Sequence, residues 1–249
     1  MIRHSILTLA VALAAASAAP AEVKITGSAT GGRLLFHSPA LSGNGLACIN
    51  CHADFDEVRR DDGLIRPAHP LYNAASRETF WGQEADSPDR YMDISSAAVP
   101  CVEAFLLRPT KLTAQQALSL QAYLRAITRQ PTRQPLAYTA AADMTGEYAG
   151  FAGGDKRRGR TLFYATCHAC HPNGHAGLAP VPLPRDKETS FYARKVREGN
   201  GLGAVLSGLE PDAYDRQGGL FMPFYGADRL SNQDIRDIIS YIESLPAPR

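Results

Sequence analysis

The sequence predicts a helical chain in which one unit is used twice, and three observations predict it. The pattern Cys-x-x-Cys-His occurs at Cys48, Cys51 and His52 and again at Cys167, Cys170 and His171. Each copy follows a short segment with helical character, Gly32 to Phe36 in the first case and Gly159 to Phe163 in the second. Each is followed much later by an amphipathic helix, one entered at Leu112 and Thr113 and carrying Leu120, Tyr123 and Leu124, the other entered at Leu230 and Ser231 and carrying Ile238, Tyr241 and Ile242. The two histidines are 171 − 52 = 119 positions apart and the two leucines 230 − 112 = 118, which is the register of a duplication. Thr113 and Ser231 are natural N-caps, because their hydroxyls can accept the amide hydrogens left free in the first turn.

Taken from the start, Arg3 and His4 precede an apolar run from Ile6 to Ala16, and Ala19, Pro20 and Ala21 follow it. Residues 1–21 therefore read as an export signal cut after Ala21, with a cut after Ala18 as the alternative. The run is too short to span a membrane comfortably, and no later stretch approaches about 18 apolar residues. The expected mature chain is soluble and lies in the periplasm or is otherwise exported. With 26 Lys and Arg against 25 Asp and Glu, the 249 residues carry no overall field that would hold nucleic acid.

Five cysteines in an exported chain would ordinarily suggest disulfides, yet four of them sit in the two motifs and each pair runs directly into His. A zinc site would want four ligands, and a redox dithiol would want a strand and helix alternation that the chain lacks. Two thiols at this spacing can add across the two vinyl groups of one porphyrin while the adjacent imidazole reaches the iron. The expected cofactors are thus two covalently bound haem c groups, one on Cys48, Cys51 and His52, the other on Cys167, Cys170 and His171.

The order of helix, Cys-x-x-Cys-His, variable loops and final helix with an aromatic near its end resembles class I cytochrome c domains over nearly all of the mature chain. That resemblance implies an all-α fold of two tandem domains, residues 22–130 and 151–249, joined by a linker at 131–150 that contains Pro131 and Pro135. In the second domain Met222, followed by Pro223 and preceding the last helix, resembles the axial methionine loop of that class, with a core methionine as the plainer reading. In the first domain the equivalent place holds Ala104, and Cys101 lies three residues away. Met92 is the alternative to Cys101 as ligand, and His37 and His69 are spare imidazoles.

Cys101, Val102 and Glu103, with the helix that follows, resemble the cysteine-ligand segment of dihaem thiosulfate dehydrogenases and of the cytochrome A subunit of the Sox complex. The run Ala104 to Leu107 departs from the polar, arginine-containing stretch expected there. The expected function is single-electron transfer between redox partner proteins, from a haem ligated by His52 and Cys101 to one ligated by His171 and Met222. An anionic thiolate favours ferric iron and a thioether ferrous iron, which sets that direction. The alternative is an enzyme that oxidises a small anionic sulfur compound such as thiosulfate at the first haem, with Cys101 taking part; a dihaem peroxidase is a third reading.

Between the first motif and Cys101, the charges Asp54, Asp56, Glu57, Arg59, Arg60, Asp61 and Asp62 read as a solvated face. Arg66, His69, Tyr72, Trp81 and Arg90 are candidates to line the haem edge, to pair with its propionates or, with Ser95 and Ser96, to form an anion pocket. Lys156, Arg157 and Arg158 read as the solvated start of a helix or as propionate contacts, with steering of an acidic partner as the alternative.

Overall fold

The computed structural model describes residues 26–80, 91–129, 142–201, 203–204, 208 and 222–246. The expected signal segment, Trp81, Arg90 and the proline-containing part of the expected linker lie outside them. Helices α1 (Ala29–His37), α2 (Cys48–Cys51), α3 (Ile94–Pro100) and α4 (Ala114–Ile127) form the first half of the described chain; α5 (Lys156–Thr166), α6 (Thr189–Glu198) and α7 (Asn232–Ser244) form the second. A single π turn, Cys101–Phe105, extends α3. Among the described residues the strand-like structure is one antiparallel bridge between Phe80 and Tyr91.

The same helix crossing is built twice. α1 packs on α4 where Gly32 meets the chain at Ser119: a Cβ there would lie 2.0 Å from the Ser119 carbonyl oxygen. α5 packs on α7 where Gly159 meets Asp237, and a Cβ there would lie 1.8 Å from that carbonyl. Only hydrogen at these two Cα atoms allows the backbones so close. Glycine in a helix interior costs about 1 kcal/mol against alanine, so the contact must return at least that. Beside each crossing a phenylalanine meets a tyrosine, Phe36 with Tyr123 at 5.7 Å and Phe163 with Tyr241 at 5.2 Å between ring centroids.

The final helices start as their sequences predict. Thr113 and Gln116 exchange side-chain to backbone hydrogen bonds at the head of α4, and Ser231 and Asp234 do the same at the head of α7. One boundary differs from expectation. Tyr148, placed in the linker by sequence, is fully buried in the second core, with its hydroxyl donated to Glu198 at 2.6 Å. It holds φ +48, a conformation unusual for a bulky residue, and the burial of its ring compensates for the backbone cost.

The two cores exchange residues across the face between the halves. Ile65 packs on the second core, while Cys170 and Leu178 pack on the first. The backbone joins there too, where the Ile65 amide donates to the Ala165 carbonyl at 2.9 Å.

Candidate functional site

A cavity in the first half is walled mostly by apolar side chains, among them Phe36, Leu71, Phe80, Ile94, Leu120 and Leu124. Cys48, Cys51, His52 and Cys101 all open onto it, and so do Arg77 and Thr79. The two motif cysteines stand at the two ends of the single turn α2, and His52 follows as its cap. The Nδ1 atom of His52 lies 2.7 Å from the carbonyl oxygen of His69. A carbonyl can only accept, so Nδ1 carries the proton and Nε2 keeps its lone pair for a metal. Burial pushes the His52 pKa down to about 4, against the opposing pull of that carbonyl, and the ring is neutral at pH 7. Burial also raises the thiol of Cys48 to about 11 and that of Cys51 to about 12.

His69 is held in place from several directions. Its neighbours bond to the motif itself, Ala68 N to Cys51 O at 3.1 Å and Leu71 N to Ala53 O at 2.8 Å. Its ring meets Asp228 of the second half at 2.7 Å. The sequence reading named His69 as a spare imidazole and missed its main-chain carbonyl; Pro70 after it, which biases His69 toward extended backbone, was the available signal.

Cys101 and Met92, the two rivals for the opposite wall, are separated by the structure. Cys101 lies in the π turn and lines the cavity, its thiol pKa raised by burial and by the nearby thiols of Cys48 and Cys51. Met92 is 74% exposed, just ahead of α3. Of the other spare groups, His37 is bonded to Asp54 at 2.7 Å, outside the cavity wall. Ser95 and Ser96 do not line the cavity either, and Ser96 bonds to the N-cap Asp93.

In the acidic and basic run after His52, Arg59, Arg60, Asp61 and Asp62 are exposed, as a solvated face would be, and carboxylates of the run also form ion pairs. Glu57 takes a two-pronged ion pair from Arg229, with contacts of 2.8 and 3.0 Å, and Asp62 takes one from the buried Arg66 at 2.7 Å. Arg158, in the first turn of α5 and still half exposed, pairs with Asp234 and Asp237 on α7.

In the second half, Cys167 and Cys170 follow α5 without a break, and His171 comes next. Burial, with a smaller contribution from the Arg185 guanidinium, lowers the His171 pKa to about 4. Met222 lies in extended chain ahead of α7, fixed by one side chain and its own backbone: Asn200 accepts from the Met222 amide at 2.9 Å, and the Asn200 amide donates to the Met222 carbonyl at 3.0 Å. Gly219, Leu220 and Phe221, named with Met222 in the sequence, lie outside the described residues. The next two residues, Pro223 and Phe224, line the cavity of the first half.

No curated protein matches the chain. The donor set of each motif, two thiols and a neutral imidazole at fixed spacing, fits a covalently attached haem, and in the first half the apolar cavity gives such a group its walls. Among the described residues no helix is long and apolar enough to cross a membrane. Residues 157–246, from the first turn of α5 to just past the end of α7, match the family model for cytochrome c, a family whose members bind haem covalently and transfer electrons.

Proposed function

We propose that the chain is an exported dihaem cytochrome c that passes single electrons from a first haem to a second and on to a partner protein. The first is attached at Cys48 and Cys51 with His52 and Cys101 as axial ligands; the second is attached at Cys167 and Cys170 with His171 and Met222. The observation that carries this reading is the shared wall of one apolar cavity, where Cys48, Cys51, His52 and Cys101 meet in a half that repeats the helix crossing of the matched domain. When bound, haem supplies one-electron ferric and ferrous chemistry. The protein's part is to orient His52 through the His69 carbonyl, to keep water from the cavity with Phe36, Phe80 and Leu120, and to offer a soft anionic donor at one site and a thioether at the other. Those donors place the lower potential at the first site.

Intact-mass and haem-content measurement on purified holoprotein tests the count. Two haems per chain are expected, falling to one in Cys48→Ala/Cys51→Ala; a wild-type chain with a single haem overturns the proposal. A second reading follows from Arg77, a cation in the wall of the cavity that holds Cys101. It would favour a small sulfur oxyanion such as thiosulfate as substrate, and appreciable thiosulfate turnover by the holoprotein would establish it.

A further inference from the structure

The contacts between the halves converge on the side of the first site where His52 sits. Asp228 and Arg229 lie in the turn between the Met222 segment and α7. Asp228 meets the ring of His69 at 2.7 Å, and the carbonyl of that same His69 accepts the proton of His52. Arg229 donates through Nε to the Arg66 carbonyl at 2.7 Å while its two terminal nitrogens bind Glu57. Arg66 then donates through its own Nε to the carbonyl of Ile49, between the two motif cysteines, at 2.8 Å. Two consecutive residues of one half thus grip positions 66 and 69 of the other, and those positions touch the motif at Ile49 and His52.

We propose that Asp228 and Arg229 are positioning residues for the proximal ligand of the first haem, so that the second half sets the potential of the first. This rests on the dihaem reading above. A hydrogen bond accepted from Nδ1 makes an imidazole a stronger donor to iron, and stronger donation favours the ferric state. The bond needs the His69 carbonyl to stay in line with Nδ1–H. Pro70 and the backbone bonds at Ala68 and Leu71 set the direction of the chain, and the cross-half contacts fix its remaining freedom at either side of Ala68. Loosening them weakens the donation and makes the first haem easier to reduce.

The test is a potentiometric titration of holoprotein, with the first haem's wave assigned by its loss in Cys48→Ala/Cys51→Ala. In Asp228→Ala the oxidised-to-reduced ratio of the first haem at a fixed poise is expected to fall about tenfold, 59 mV for a one-electron couple, with the second haem unmoved. Asp228→Asn keeps an acceptor for His69 without the charge and should restore most of the shift. If Asn shifts the potential as far as Ala does, charge alone is responsible and the positioning role is wrong. If both haems move together, or neither moves, it is wrong as well. Should Asp228→Ala fail to load haem, Glu57→Gln loosens Arg229 from the opposite side, and an unchanged first-haem potential there overturns the proposal. A wild-type chain with only one haem sinks the dihaem reading itself, an outcome the haem count separates from the others.

Discussion

His52 donates its Nδ1–H to the carbonyl of His69 across 2.7 Å, and no other arrangement of that proton is compatible with a carbonyl partner. With burial lowering the pKa to about 4, the ring is a neutral imidazole whose Nε2 carries a lone pair. Cys101 shares the cavity onto which His52 opens, and Met92 does not.

That contrast gives a spectroscopic prediction. Low-temperature EPR of the oxidised protein is expected to show a thiolate-type low-spin signal that vanishes in Cys101→Met and survives in Met92→Leu. A signal altered by the Met92 change and indifferent to the Cys101 change would reverse the assignment.

The two helix crossings predict that Gly32→Ala and Gly159→Ala are both destabilising. Alanine would gain about 1 kcal/mol of helix propensity, but its Cβ would press on a carbonyl oxygen that cannot yield without separating the helices. Overpacking costs about 1–3 kcal/mol, and a Cβ 2.0 or 1.8 Å from a backbone oxygen belongs at the upper part of that range, so the net effect is a loss of about 1–2 kcal/mol. Thermal unfolding followed by circular dichroism would show it as a lower midpoint; a raised midpoint in either variant contradicts the packing described.

Asp237 predicts a pH dependence for the second half. Burial pushes its carboxyl up, but bonds from the Asp155 amide, Arg158 and Gln233 outweigh that and hold the pKa below the ordinary value. A group depressed in the folded state stabilises above its unfolded pKa, near 3.9. That contribution is lost as pH falls through the folded value. Asp237→Asn should therefore lower stability at pH 7 by roughly 1.5–3 kcal/mol and flatten the decline below about pH 4. Equal acid limbs in the two proteins, measured by denaturant unfolding across pH, would count against this.

Asn200 predicts a local effect on the second haem. Its side chain accepts from the Met222 amide and its backbone N–H donates to the Met222 carbonyl, so Asn200→Ala removes the first bond, keeps the second and loosens the segment that holds the proposed thioether ligand. A high-spin ferric fraction should appear at the second haem, with the first unaffected. If the spin state is unchanged while Met222→Ala alters it, Asn200 plays no part in presenting the ligand.

What the sequence determined is local in the chain. Two thiols and an imidazole within five residues suggest a haem attachment site before any fold exists, because the chemistry needs only their spacing. The helix starts at Thr113 and Ser231 were legible for the same reason, since a cap and its acceptor three residues on belong to one turn. The repeated helix crossing was foreshadowed by register, with Gly32 and Gly159 as members of matched segments, although not as the points where backbones touch. Tertiary structure decided everything that required distant residues to meet. It chose Cys101 over Met92 for the cavity wall, and it drew Tyr148 out of an expected linker into a core. It also paired Glu57 with Arg229 of the other half and the exposed Asp62 with Arg66. It supplied a main-chain carbonyl at His69 that no side-chain pattern announces, because every residue carries one and only the fold decides which of them faces Nδ1.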